Sequence, residues 1–478
     1  MSSEEKGDGL SSSAAGGKPI LVKDQREQTE PSATAAGDRP SQPIAPVSFS
    51  YIFLLTMFTV GTSSIYHVNQ QVLQLTARQF TTNMALIGFI LALPALTQLL
   101  VTPYVAWKSD RIWTRFGRRR PIAMLMAPIL IAATLLAPWC PSLPFFILVV
   151  FILQIAEDAD LAIMMPSVSD SVPDKQRPLA TGIWQLAMAL SGIILAVYGL
   201  RLMTPGLHKV TLPLVQRLHI QAPYIMVQGS GHWPYTISAV LVAVTSLIYI
   251  RVMRERYVPP RPTERFRPFA YGKEMFHLRE HRLIWVIAFF QPLFFAVSMA
   301  FMSTLGTHGL DLNTSEYGSA YSSFPLVQLL LAIPLGYLFN KYRHRKAFSI
   351  AACVYAMIPA TFGLYFMKTQ QDLAIFFGSQ VVAFMVFRMN FMPYLMEYTT
   401  PKNVGTILGF SNLVSGVGRC IMMPLIGFLI FASHNNYRIP LYGVYVSAVV
   451  IVIALLMMRP PEKIRHLVEE DAEQGCAA

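Results

Sequence analysis

The 478-residue sequence predicts an all-α membrane protein with twelve transmembrane helices in two pseudo-symmetric six-helix halves. Three observations carry this: apolar runs of membrane-spanning length, a lopsided placement of basic residues, and a motif repeated between the halves. Apolar residues (AVILMFWYC) make up 54% of the chain and charged ones 13%, against roughly 45–50% and about 25% in a soluble domain. Mean hydropathy is +0.45.

A helix needs about 20 apolar residues to cross the hydrocarbon. Twelve runs qualify, at 49–73, 84–106, 121–139, 144–166, 179–200, 233–252, 282–303, 317–339, 347–367, 373–396, 404–432 and 440–458. Residues 1–47, biased to Ser, Gly, Ala, Pro and charge, read as a disordered cytoplasmic tail. Residues 48–252 then form the N-terminal half, 253–281 a cytoplasmic central loop, 282–460 the C-terminal half and 461–478 a second cytoplasmic tail. The first apolar run starts too far in, and is too long, for a signal peptide. Cys140, Cys353, Cys420 and Cys476 are scattered without C-x-x-C spacing, so neither a disulfide framework nor a zinc site is expected.

The balance of 38 Lys+Arg against 26 Asp+Glu gives +12, which in a soluble chain would point to nucleic acid. With the N-terminal tail inside, thirty of the 38 fall in cytoplasmic segments and six in outer loops; Arg388 and Arg419 remain within spans. That split is the positive-inside signature. It encodes orientation, with both termini cytoplasmic in a plasma (bacterial inner) membrane, and no nucleic-acid partner. The nine basic residues from Arg251 to Arg282 also suit contact with anionic lipid heads.

The halves echo each other. MPSVSDSVPDKQRPLATG after span 4 and MPYLMEYTTPKNVGTILG after span 10 both place an acid, Asp170 or Glu397, four residues after a proline. A weaker echo links AWKSDRIWTRFGRRR from Ala106 with GYLFNKYRHRK from Gly336.

The strongest local motif is SDRIWTRFGRRRP, from Ser109 to Pro121. An acid at a helix end beside a basic turn can pair with its arginines and approach another helix N-terminus, a contact that can be made and broken. The same arginines also suit plain positive-inside anchoring.

The D-R-x5-G-R-R-R-P form of this loop resembles the major facilitator superfamily signature of the sucrose/proton symporter branch, related to the glycoside-pentoside-hexuronide cation symporters. Asp170, Pro173 and Arg177 resemble that branch's pattern after helix 4. Pro393, Tyr394, Met396, Pro401, Gly405, Gly409 and Asn412 resemble its pattern across helices 10 and 11. The resemblance implies alternating access of a monomeric carrier, with Asp110, Arg111, Gly117, Arg118, Arg119 and Arg120 forming a cytoplasmic gate. It also implies proton-coupled symport of a sugar or glycoside. Where the relatives usually carry an arginine in helix 4, this chain has Ala162, Ile163, Met164 and Met165.

Near that position stand Glu157, Asp158 and Asp160. An ionised acid near the bilayer centre costs about 2.5 kcal/mol or more, so such groups face a cavity, pair, or carry a proton. Gln154, Glu157 and Asp158 share one helix face, and acids this close cannot all ionise comfortably. These are the proton-coupling candidates. Structural pairing is the competing reading: aligning the halves on their prolines puts Arg388 opposite Leu161, at nearly the depth of Asp160.

Span 1 offers the most polar face. Tyr66, Asn69 and Gln70 fall at i, i+3 and i+4, with His67, Gln71 and Gln74 on the adjoining stripe. Amides and aromatic faces suit a polyhydroxyl ligand. Substrate-binding candidates are therefore Tyr66, His67, Asn69, Gln70, Gln291, Arg388 and Asn390, although polar residues within spans also bridge helices.

No hydrolase triad, P-loop or metal spacing occurs, so neither an enzyme, a cofactor nor ATP drive is expected. A carrier of an apolar or anionic solute, and a non-transporting receptor or assembly factor on the same fold, stay open beside sugar symport.

Overall fold

Apolar segments in lipid must satisfy their backbone groups internally, and helices do so within one segment. The computed structural model describes residues 47–173, 176–210, 225–253, 255, 279–342, 344–398 and 404–460. The tails apart from Val47, most of the central loop, Pro401 and the side chains of Asp170 and Arg177 lie outside the described residues.

Among the described residues, twelve long helices follow in chain order. The first half comprises α1 (Phe49–Ala77), α2 (Met84–Ser109), α3 (Arg120–Trp139), α4 (Leu143–Ser171), α5 (Leu179–Met203) and α6 (Trp233–Val252). The second comprises α7 (Arg279–Gly309), α8 (Thr314–Phe339), α9 (Arg345–Tyr365), α10 (Gln370–Met396), α11 (Val404–Ala432) and α12 (Ile439–Met457). Eleven are long and apolar enough to cross a membrane. The twelfth, α4, has 29 residues and carries the three acids. Exposed Leu100, Leu125, Ile333 and Ile358 belong to an apolar outer surface that suits lipid rather than water.

The repeat read from sequence is visible in the packing. The pairs α1 with α6, α2 with α4, α3 with α4 and α3 with α6 recur six helices later as α7 with α12, α8 with α10, α9 with α10 and α9 with α12. The halves meet chiefly along α2 and α11, and where α5 meets α8. "Inner" below means the face carrying the α2–α3 loop, the side the charge pattern leads one to expect in the cytoplasm, and "outer" its opposite.

The outer side is closed. Gly88 and Gly427 bring α2 and α11 into backbone contact: a Cβ on Gly427 would sit 2.3 Å from the Met84 carbonyl oxygen, and one on Gly88 2.6 Å from that of Met423. Arg78 donates through both Nη atoms to the Tyr437 hydroxyl, at 3.2 and 3.3 Å. Gln71 accepts from Tyr317, Gln74 accepts from Ser303 at 2.9 Å, and His67 Nδ1 meets the Tyr321 hydroxyl at 2.9 Å.

The predicted outer loop 201–232 contains an antiparallel hairpin, β1 (Leu207–Val210) and β2 (Ile225–Gln228). Short apolar runs interrupted by prolines left that pairing unreadable in the sequence. Three π-turns, Val68–Val72 in α1, Leu195–Gly199 in α5 and Leu305–Gly309 in α7, lie beside the outer contacts.

Candidate functional site

Midway through the bundle the halves enclose a cavity of about 80 Å³. From α1 it is lined by Tyr66, Asn69 and Gln70, from α2 by Gln98, from α4 by Gln154, Glu157 and Asp158, and from α11 by Arg419. The helical spacing read in α1 and α4 therefore converges on one space.

The polar groups are linked. Asn69 Nδ2 donates to Glu157 Oε2 at 2.7 Å and to Gln154 Oε1 at 3.2 Å, and Gln154 Nε2 donates back to Asn69 Oδ1 at 2.8 Å. The bond to Glu157 is charge-assisted when the acid is ionised, and so is among the stronger kinds. Arg419 crosses the interface to donate to Gln98 Oε1. Asp158 lies near Thr97 and Arg419. Asp158 Oδ2 and Gln70 Oε1 are buried without a hydrogen-bond partner among the described residues. Buried polar atoms are normally paired, so these are the acceptors open to a bound solute or water.

Asp160 sits elsewhere. Its exposure is 0%, and neither carboxylate oxygen has a hydrogen-bond partner among the described residues. The competing reading, a pair with Arg388, is not formed among the described residues. Arg388 is exposed, its guanidinium 5.6 Å from the centre of the Phe384 ring and its charge acting on Tyr66. The proline alignment explains the miss. Arg388 matches Leu161, which lines the cavity, whereas Asp160 is one residue away and about 100° around the helix.

The other candidates separate in the same way. His67, bonded to Tyr321 and within 3.3 Å of the Met188 carbonyl oxygen, belongs to the outer closure. Asn390 is fully buried and donates to Val386 O of its own helix at 2.8 Å, while Gln291 is partly buried outside the cavity lining. Arg419 and Gln98 were not among the predicted site residues. A lone arginine within a span was the available signal for the first; nothing marked the second.

On the inner face, Asp110 pairs with Arg118 at 3.3 Å and Arg119 at 3.7 Å. The Arg111 guanidinium lies 4.7 Å from the Trp107 ring centre. These described contacts stay within the first half. Glu255, just after α6, accepts from the backbone N–H groups of Arg118, Arg119 and Arg120 at 2.6, 3.0 and 2.9 Å, capping α3. Gly117, at φ 103°, permits the approach, since a Cβ there would lie 2.5 Å from the Glu255 carboxyl carbon. The second half repeats the plan more loosely: Arg345 pairs with Glu397 at 2.8 Å, and Lys346 donates to Met458 O at 2.9 Å. Among the described residues no group of three or more His, Cys, Asp or Glu is placed to hold a metal.

Comparison with solved structures finds a variant of the nucleoside transporter NupG, at 13% identity and a TM-score of 0.62, covering 85% of this chain and all of that one. At that identity the likeness speaks for the fold. No curated protein sequence matches the chain. The family profile described as Major Facilitator Superfamily matches residues 47–314 and 284–477. Twelve helices in two repeating halves around a polar central cavity, together with that match, establish that the chain belongs to the Major Facilitator Superfamily.

Proposed function

We propose that this integral membrane transporter is a proton-coupled symporter of a neutral polyhydroxylated solute, a sugar or glycoside, working as a monomer by alternating access with both termini cytoplasmic. The observation that carries the reading is the Asn69–Glu157–Gln154 cluster on the central cavity. Glu157 and Asp158 are the proton carriers. An ionised Glu157 only accepts hydrogen bonds, whereas the protonated acid can also donate one. Proton uptake thus weakens the hold on Asn69 Nδ2 and frees that amide for a solute hydroxyl. Tyr66 offers a ring face, and Gln70 an open acceptor.

The 80 Å³ cavity lies well below the roughly 300–1,000 Å³ of small-molecule sites, so a sugar ring enters only as the halves part. Nucleosides are N-glycosides and fall within the proposed class; NupG is named as a nucleoside transporter.

Proteoliposomes with an imposed pH gradient test this. Glu157→Gln should abolish gradient-driven accumulation of the solute while sparing counterflow, which needs no net proton movement. Accumulation that survives in Glu157→Gln and Asp158→Asn would remove these acids from coupling. Arg388 and Arg419, both acting on Tyr66, favour a second reading, an anionic solute. Uptake confined to organic anions and lost in Arg388→Gln would select it.

A further inference from the structure

Outside the closed contacts lies a larger space. A cavity of about 620 Å³ opens between the ends of α1, α5 and α7, the segment after β2 and the loop into α8. A second lobe of about 160 Å³ shares Gln79, Ser230 and Gly231 with it. Together they exceed the central cavity severalfold and fall within the usual 300–1,000 Å³ of small-molecule sites.

We propose that this vestibule is a second solute site, taking a neutral sugar or glycoside on the outer face. Gln79 and Ser230 reach it from the first half, and His308 and Asn313 from the second. The smaller lobe adds Trp139 and His232, whose rings stack with centroids 5.2 Å apart. Among the described residues neither lobe is lined by an Asp, Glu, Lys or Arg. Amides, hydroxyls and an aromatic platform match a ligand with hydroxyl edges and a C–H face, and the described lining offers an anion no Lys or Arg to pair with. Trp139 is 66% exposed, and His232 Nδ1 is buried without a hydrogen-bond partner among the described residues.

Backbone hydrogen bonds shape the site. Gly229 N donates to Gly206 O at 2.7 Å and Ser230 N to Leu202 O at 2.8 Å. A Cβ on Gly229 would fall 1.8 Å from Thr204 O, so only glycine allows the strand end to dock there. Both halves supply lining, so the site is complete only while the outer side is closed. A ligand that binds one state better shifts the population toward it. External solute in the vestibule therefore holds the carrier outer-closed, and uptake should fall again at high external concentration. The solute class rests on the vestibule's own lining and coincides with that proposed for the central site.

The test uses the full chain in proteoliposomes with Gly231→Cys, whose Cβ position is an ordinary 3.6 Å from Gln79 Nε2. Its labelling by an impermeant thiol reagent is followed with sucrose, a methyl glucoside, a nucleoside or gluconate outside. At a neutral solute concentration ten times its apparent Kd, labelling should slow about tenfold, with little effect of gluconate. Protection should persist with Asn69→Ala, and should weaken at least severalfold with Gln79→Ala or Trp139→Ala at an unchanged solute-free rate. No protection by any neutral solute, equal protection by gluconate, or loss of protection with Asn69→Ala would overturn the proposal. Protection without any uptake of these solutes would instead overturn sugar symport and leave the vestibule standing.

Discussion

Adding one methyl group at Gly427 should push the carrier away from its outer-closed state. The added Cβ would lie 2.3 Å from Met84 O and 3.1 Å from Gly88 Cα. Both obstacles are backbone, so no side-chain rotation relieves them, and α2 and α11 must separate. Overpacking of this kind costs about 1–3 kcal/mol. The cost falls only on the state in which the outer ends touch, so the ratio of outer-open to outer-closed molecules should rise about 5- to 150-fold. Gln70→Cys, on the central cavity beneath the outer closure, reports the change through its labelling from outside by an impermeant thiol reagent. Gly416→Ala is the matched control on the same helix, because its added Cβ would meet nothing closer than 3.7 Å. An unchanged labelling rate in a folded Gly427→Ala protein, or an equal rise in Gly416→Ala, would refute the assignment of this crossing as the outer seal.

Three further outcomes follow from the inner face and the charge pattern. Glu255→Ala removes the acceptor for three backbone N–H groups of α3 and should destabilise the protein by about 0.5–2 kcal/mol; a thermal melt no lower than wild type would show that the cap contributes nothing. Asp110→Asn, which loses its charge toward Arg118 and Arg119, should leave folding intact and shift the carrier toward the inward-open state, and unchanged accessibility of cysteines on the two faces would contradict the gate reading. Single cysteines at Arg265 and Gln216 should react oppositely with an impermeant reagent in intact cells, with labelling of position 265 from outside reversing the topology.

Much of this was legible because lipid and helical geometry leave few alternatives. Spans follow from length and hydropathy, and Tyr66, Asn69 and Gln70 share a face at any helical periodicity close to 3.6. The cavity partners Gln154, Glu157 and Asp158 were legible for the same reason. What sequence could not supply was azimuth relative to neighbours. Asp160 looked equivalent to the other acids but does not line the cavity, while Asn390 donates to Val386 of its own helix. Glu255 stood in a basic segment with no local sign of its target, since the cap joins residues more than 130 positions apart. The competing pairing of Arg388 with Asp160 is not formed among the described residues, because the two fall on different faces of their helices.

The division of α1 into two stripes links these observations mechanically. Asn69 and Gln70 face the central cavity, while Gln71 and Gln74 hold the outer contacts to Tyr317 and Ser303. All but Gln74 fall within the π-turn Val68–Val72, and Gln74 lies two residues beyond it. A π-turn inserts one residue into the helical ladder and is an unstable local geometry often kept at functional sites. Relaxing it toward a regular α-helix would turn the outer part of α1 relative to the inner part, moving Gln74 as Asn69 changes partners. The corresponding helix of the second half, α7, carries its own π-turn at Leu305–Gly309, two residues after Ser303. The contact between Gln74 and Ser303 is thus flanked on both helices by a π-turn. On the proposed coupling, release of Asn69 by a protonated Glu157 would reach the outer closure through one turn of α1, without a separate relay through the rest of the bundle.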